Sequence, residues 1–447
     1  MTGYFEFLTP IYFIRDPELL KQVAIKDFES FEDHKFVLEP EMCSLMGNTM
    51  FMMKGQKWRD MRATLSPTFT GAKIKQMFDL IREVAIDAKT FMLNDAPENG
   101  VKQYDMYLLS SKLANDVIAS CAFGLRINSI EDDQNEFFKI GQTFEHLGSF
   151  EKSMRVVIKT IFPGITKAIG YEFLEQHIKE FFRRLMRTNM EERRRKGINR
   201  PDVIDMLMKA KDKADSYIAS GKANELTGPE AEVIHWTEME MVAQCFVFFL
   251  GGFDSITWVL CAATYRIVEN PEVQVKLLED VDKLKEKLNG RELIYDDLKE
   301  LKYVDQFLGE LLRLDGGVFV ERKCTKEYFM EETNQTIPKD AWIISPSSAF
   351  HRDPEYFPDP EKFDPERFNE DNIHTINQDT YLPFGTGPRA CVGQRFALVE
   401  LKVILFYMLA NFTYEKCENT LPLNAHTSFF GFKPTRPFYL NLRARTL

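Results

Sequence analysis

Residues 237–268 read as one long helical segment, apolar through its middle. Its longest uncharged apolar run, 245–253, is half the roughly 18 residues that a bilayer span needs, so the segment reads as a core helix. Gly251 and Gly252 sit at the centre of the apolar part. Each costs about 1 kcal/mol against alanine in a helix interior, so the pair marks a close approach to that backbone. Around this helix the helical period dominates from residue 56 to residue 297. Charged runs such as 191–196 fall on solvated faces, and the polar stretch 211–230 reads as a surface loop. Ahead of it, 3–8 and 11–14 read as short strands, followed by a helix with Asp16 as N-cap and Pro17 in its first turn. After Leu314, proline, glycine and short extended runs fill 315–390. Residues 342–344 and 438–442 read as strands, and a last helix covers 394–412. The pattern predicts a mainly α fold with a small β region drawn from both ends, in one domain over 1–447.

Composition narrows the function classes. The net charge of −11 argues against nucleic-acid binding, which favours a basic footprint. The 38 phenylalanines and 19 methionines suit a large adaptable apolar cavity as well as an ordinary core. Cysteines stand at 43, 121, 245, 261, 324, 391 and 417 with no Cys-x-x-Cys, which argues against a disulfide scaffold and for reduced, cytosol-facing chemistry. The N-terminus carries no signal-peptide pattern.

The strongest local signal is Phe384-Gly385-Thr386-Gly387-Pro388-Arg389-Ala390-Cys391-Val392-Gly393. This glycine-rich loop places a cysteine just before a helix, whose free N–H groups and dipole favour a thiolate. Gly387 and Gly393 would let the backbone turn sharply and pass close to a flat ligand, and Arg389 could pair with a carboxylate of that ligand. From the residues alone, a buried structural cysteine is the rival reading. The loose dinucleotide fingerprint Gly385-x-Gly387-x-x-Ala390 fails, because Pro388 sits inside the loop and no parallel-strand run follows. Trp58 and Arg62 share a helix face at i, i+4. Glu310 and Arg313, at i, i+3, read by themselves as a surface ion pair worth a few tenths of a kcal/mol.

Phe384-x-x-Gly387-x-Arg389-x-Cys391-x-Gly393 is similar at every position to the haem-binding signature of the cytochrome P450 superfamily. Nearly the whole chain resembles insect microsomal, xenobiotic-metabolising members (insect families six and nine). The resemblance implies the haem-thiolate fold with haem b as cofactor and Cys391 as its axial ligand. It implies that Trp58 and Arg62 hold a haem propionate, with Arg322 as the second propionate arginine. Glu310 and Arg313 become a buried structural pair, completed by Arg367 of Pro365-Glu366-Arg367-Phe368. Gly251-Gly252-Phe253-Asp254-Ser255-Ile256 resembles the oxygen-groove motif, with glycines making room for O₂ and Asp254 and Ser255 relaying protons. The activity implied is monooxygenation of a lipophilic substrate, an insecticide or plant toxin by analogy, with electrons from NADPH–cytochrome P450 reductase. Alternatives are a haem-thiolate isomerase or dehydratase, against which Asp254 and Ser255 argue, and a non-catalytic haem or ligand binder. The expected location is the cytosolic face of the endoplasmic reticulum membrane, with anchor, hinge and first helix lying outside this chain. Segments 39–52, 144–175, 246–253, 316–320 and 428–432 are expected to line the substrate pocket. Lys54, Lys57, Arg59, Lys73, Lys75, Arg395 and Lys402 form a basic cluster that would steer an acidic reductase.

Two places depart from the family pattern. Ser255 and Ile256 stand where two threonines are usual; serine keeps the hydroxyl, but its rotamer is less fixed and it can turn back onto the carbonyl four residues earlier. Leu314-Asp315-Gly316-Gly317 replaces an aromatic, proline-rich segment, which predicts a looser wall beside the cofactor.

Overall fold

The computed structural model describes residues 2–6, 9–34, 40, 43–144, 174–200, 202–221, 233, 235–317, 319–427 and 432–445. The chain divides into two compact units, residues 1–37 with 302–394, and residues 38–301 with 395–447.

The first unit is built on a four-stranded sheet in the order Thr2–Glu6, Thr9–Phe13, Trp342–Pro346, Phe319–Lys323. The strand Thr9–Phe13 runs parallel to Trp342–Pro346, pairing Ile11 with Trp342, while Phe319–Lys323 is antiparallel and pairs Arg322 with Ile343. The sheet thus joins the chain's start to residues 319–346, with residues 7 and 8 outside the described residues; the strand at the chain's end, Tyr439–Ala444, lies in a separate sheet, so the β structure is not one region drawn from both ends. Asp16 caps the helix Pro17–Lys21 by accepting from the N–H groups of Glu18 and Leu19 at 2.9 and 3.1 Å. Leu20, Val23, Phe31, Val320, Met330 and Ile343 close the core beneath. The helix Lys302–Asp315 buries Val304, Phe307, Leu308, Leu311 and Leu312. It ends on the two glycines. Gly316 donates to the Leu312 carbonyl at 3.1 Å, a Cβ there would stand 2.3 Å from that oxygen, and Gly317 is left-handed at φ +50°. The departure at 315–317 is therefore a tight helix stop that needs glycine, not a slack segment.

The second unit is helical. Its described helices of eight residues or more are Gly55–Leu65, Gly71–Asn94, Met106–Phe123, Glu136–Phe144, Gln176–Lys196, Val203–Ala219, Glu238–Glu269, Pro271–Leu288 and Gln394–Asn411. An antiparallel sheet ordered Val101–Asp105, Tyr439–Ala444, Phe412–Glu415 closes one side. The long helix opens on a capping box of Thr237 and Glu240. It is the one described helix long and apolar enough to cross a bilayer, yet 78% of its most apolar window is buried inside the protein, which makes it a core element. Phe123, Phe137, Phe182, Phe246, Phe249 and Phe253 form a continuous ring cluster on it, with centroids of neighbouring rings such as Phe137 and Phe249 at 5.0 Å.

Two expectations fail here. Arg193, in the charged run 191–196, is buried and donates to both Asp202 carboxylate oxygens at 2.6 and 2.7 Å. Residues 211–219 are not loop but the second half of the helix Val203–Ala219, and 222–230 lie outside the described residues. The helix buries Ile204, Leu207, Met208 and Ala214. Its polar face carries the i, i+4 pairs Asp205–Lys209 and Lys211–Asp215, at 2.8 and 3.3 Å. All seven cysteines are free thiols, and Cys391 alone is exposed.

Candidate active site

In the first unit the cysteine loop is turned by Gly385 and Gly387, left-handed at φ +75° and +73°. Gly393 is not left-handed, so the sharp turn falls earlier than expected. A Cβ on Gly387 would stand 2.1 Å from the Ala24 carbonyl oxygen, so this glycine is needed for packing against the protein's own backbone. The Cys391 N–H donates to the Phe384 carbonyl at 2.9 Å, and the thiol is presented at the surface of its unit, ahead of the helix beginning at Gln394.

Two buried arginines flank this loop. Arg389 donates through Nε to the Glu32 carbonyl at 2.9 Å and lies 3.7 Å from Asp33, so it is tied to the protein itself. Arg322, 3% exposed, donates to the carbonyls of Glu321 at 2.8 Å and Thr386 at 3.1 Å. Its Nε has no partner, and burial pushes its pKa down to about 10. Among the described residues no carboxylate hydrogen-bonds to it. A buried guanidinium in that state is a ready site for a ligand carboxylate. His34, missed at the sequence level, stands 3.6 Å from Glu321.

Behind the loop, Arg313 Nε and Nη2 donate to the two Glu310 carboxylate oxygens at 2.7 Å each, with both side chains at 0% exposure. The Asp364 N–H donates to Glu310 at 2.8 Å, Arg367 Nε lies 3.4 Å away, and Arg313 also reaches the His351 and Lys362 carbonyls. The surface-pair reading is excluded by this burial, and the three residues meet. His351, also missed from the sequence, extends the network. Its Nε2 accepts from the Leu382 N–H at 2.9 Å, which leaves Nδ1–H to donate to the Arg313 carbonyl at 2.8 Å. A line of hydrogen bonds therefore runs from Glu310 through Arg313 and His351 to Leu382, two residues before Phe384.

Burial pushes the pKa values of His34 and His351 down to about 4. Both are neutral when folded and charge more readily when unfolded. Their contribution is therefore intact above pH 6.5 and is lost as pH falls toward 4, by up to about 3 kcal/mol each at about 1.4 kcal/mol per pKa unit. Denaturant midpoints measured from pH 7 to pH 4 should show this fall, and His351→Gln should flatten it.

In the second unit, Trp58 (4% exposed) and Arg62 (partly exposed) lie one turn apart on the helix Gly55–Leu65. The expected basic cluster is partly neutralised. Lys57 pairs with Glu240, and Lys75 lies 2.7 Å from Asp296. On the long helix the two glycines differ. A Cβ on Gly252 would meet Ile118 at 2.7 Å, whereas one on Gly251 would meet nothing within 4 Å. Gly252 serves helix packing; Gly251 faces open space among the described residues. Asp254 is 3% exposed, and Ser255 Oγ donates to the Gly251 carbonyl at 2.7 Å, the back-bond expected for serine there. Ile256 is buried in the core. Of the expected pocket walls, residues 39, 41, 42, 145–173, 318 and 428–431 lie outside the described residues.

The cytochrome P450 family profile matches residues 4–442. The chain belongs to the cytochrome P450 family. Its relatives include the probable cytochrome P450 9f2 of Drosophila melanogaster, 37% identical over 99% of this chain and 86% of the relative. Cytochrome P450 9e2 of Blattella germanica is 36% identical over 99% and 85%. The probable cytochrome P450 6a13 of Drosophila melanogaster is 34% identical over 94% and 81%. This P450 is thus a monooxygenase of the insect group, with the mainly α fold of the family and haem as the family's cofactor. The residues present fit that group: an exposed thiol on a fixed loop, and a buried arginine whose Nε has no partner.

Proposed function

We propose that residues 1–447 act as one catalytic domain, an NADPH-dependent haem-thiolate monooxygenase of lipophilic substrates, with Cys391 as the axial ligand of haem b. The observation that carries this reading is the glycine-turned loop that presents the Cys391 thiol while its backbone is tied to the buried Glu310–Arg313 pair through His351. When bound, haem supplies activation of O₂ and insertion of one oxygen atom into the substrate. Trp58 and Arg62 would hold one propionate and Arg322 the other, completing the partner set of its buried Nε. Phe384, Gly387, Arg389 and Gly393 hold the loop, and Glu310, Arg313 and Arg367 support it from behind. Electrons come from NADPH–cytochrome P450 reductase at the cytosolic face of the endoplasmic reticulum. Steering by the basic cluster would be weakened at Lys57 and Lys75, which pair with Glu240 and Asp296. The methionine-rich segment 43–52 and the phenylalanine-rich segment 246–253 suit a bulky apolar substrate such as an insecticide or plant toxin.

A reduced carbon-monoxide difference spectrum tests the ligand, and reductase-dependent turnover tests the activity. Product formed without NADPH would favour the isomerase class instead.

Asp254 and Ser255 would move protons. The Ser255 hydrogen is committed to the Gly251 carbonyl, while the oxygen's lone pairs can still accept from a water. Passing a proton on requires that bond to break, and without threonine's methyl the hydroxyl swings easily between the two states. Ser255→Ala is expected to lower the ratio of oxygenated product to NADPH consumed several-fold, and Ser255→Thr to raise it, with substrate-binding spectra unchanged. Equal coupling in Ser255→Ala and the parent would leave proton delivery to Asp254 and water.

A further inference from the structure

Gln244 is fully buried on the long helix, one turn beyond Glu240. Its Oε1 accepts from the Met50 N–H at 2.8 Å, and its Nε2 donates to the carbonyls of Asn48 and Glu240, each at 2.8 Å. Three of its four hydrogen-bonding positions are thereby used, two of them on a segment almost two hundred residues away in sequence.

That segment is a compact apolar turn. Cys43, Leu45, Met46 and Thr49 have no exposed surface, and Met52 and Met53 are buried. Thr49 Oγ1 donates to the Met46 carbonyl at 2.7 Å, its own carbonyl accepts from the Met52 and Met53 N–H groups, and Asn48 bonds back to Ser44. The turn is thus held together internally, and Gln244 fixes it to the long helix. Directly after it, Gly55 (φ +49°) opens the Trp58 helix, and the Lys57–Glu240 ion pair ties that helix to the neighbouring turn of the same long helix.

We propose that Gln244 is a positioning residue that sets the wall formed by residues 43–53 and thereby the size of ligand this P450 admits. The inference rests on the reading above, in which that segment borders the substrate site. Methionines make a wall that repacks readily. Two backbone hydrogen bonds from one buried amide hold such a wall in a single arrangement, and losing them lets it yield to larger ligands.

Gln244→Met has nearly the same length and no amide, so it removes the bonds with little change in volume. Hydrogen exchange across residues 44–54 should accelerate at least tenfold in this variant, with the four-stranded sheet of the other unit unchanged. Gln244→Glu keeps an acceptor for Met50 but turns a carboxyl group toward the Asn48 and Glu240 carbonyls, so its exchange should accelerate at least as much. In haem-loaded protein, Kd values for a series of N-alkylimidazoles of increasing chain length should shift. The ratio of long-chain to short-chain Kd should fall fivefold or more in Gln244→Met, with the carbon-monoxide band unaltered. Uniform acceleration across the whole chain would reduce Gln244 to a general stabiliser and overturn the proposal. So would faster exchange at 44–54 with unchanged Kd ratios. The exchange measurement needs no haem, so the two readings fail separately. Failure of the haem-thiolate reading appears as a missing band in the unaltered protein. Failure of this one appears as unchanged exchange in a protein with a normal band.

Discussion

Cys391→Ala is expected to give a folded protein with no thiolate-type carbon-monoxide band and no monooxygenation. The thiol is exposed on its loop, and the backbone bond from the Cys391 N–H to Phe384 does not involve the side chain. A substitution at such a place changes stability by about 0.5 kcal/mol or less, so folding should survive while the ligand disappears. Cys391→His should retain some haem with imidazole ligation and little activity. Far-ultraviolet circular dichroism checks the fold and the reduced difference spectrum checks the ligand. A normal thiolate band in the alanine variant would mean that another cysteine ligates iron.

The opposite signature is expected behind the loop. Among the described residues, Arg313→Ala leaves Glu310, at 0% exposure, with only Arg367 at 3.4 Å and the Asp364 N–H. It also strips a donor from the His351 and Lys362 carbonyls and a cation from the face of Phe357, 5.2 Å away. Breaking one partner of a buried ion pair costs about 3–5 kcal/mol, a large part of the roughly 5–15 kcal/mol that holds a domain. Glu310→Ala strands Arg313 in the same way. Both variants should yield little soluble holoprotein, and Arg313→Lys should rescue poorly, because an ammonium cannot make the two-pronged contact. Haem content per mole of purified protein is the measurement. Values near that of the parent would show that the pair is dispensable.

Much of this was legible in the sequence. The strands at the chain's start, the run at 342–344 and the Asp16 cap are local signals, but their pairing is not, and the strand at the chain's end pairs in a different sheet. The cysteine loop was legible because its glycines, proline and cysteine are fixed by local backbone demands, although the turn falls at Gly385 and Gly387. What escaped depends on partners far away in sequence. By spacing alone Glu310 and Arg313 are a surface pair; only the family resemblance gave them as buried with Arg367, and the carbonyls and N–H that enclose them come from 351–364. His351 sits beside Arg352 and Asp353 and looks solvated in the sequence, yet it is enclosed between Arg313 and Leu382. Lys57 and Lys75 read as free charges because Glu240 and Asp296 lie far along the chain. The stretch 211–219 looks like a loop in the sequence because it has few apolar residues; the apolar face of its helix is supplied mainly by Ile204, Leu207 and Met208 in the first half.

Gly251 and Gly252 are neighbours about 100° apart around the long helix, and only the second is held by packing, against Ile118. Mutational tolerance should therefore split between adjacent codons. A methyl group added at 252 is paid in folding, through a displaced isoleucine, whereas one added at 251 leaves the helix contacts intact and occupies open space alone. A methyl group beside the Asp254–Ser255 turn can thus be added at 251 without meeting any described residue and without loosening the core, so a change of one codon separates a tolerated substitution from a destabilising one.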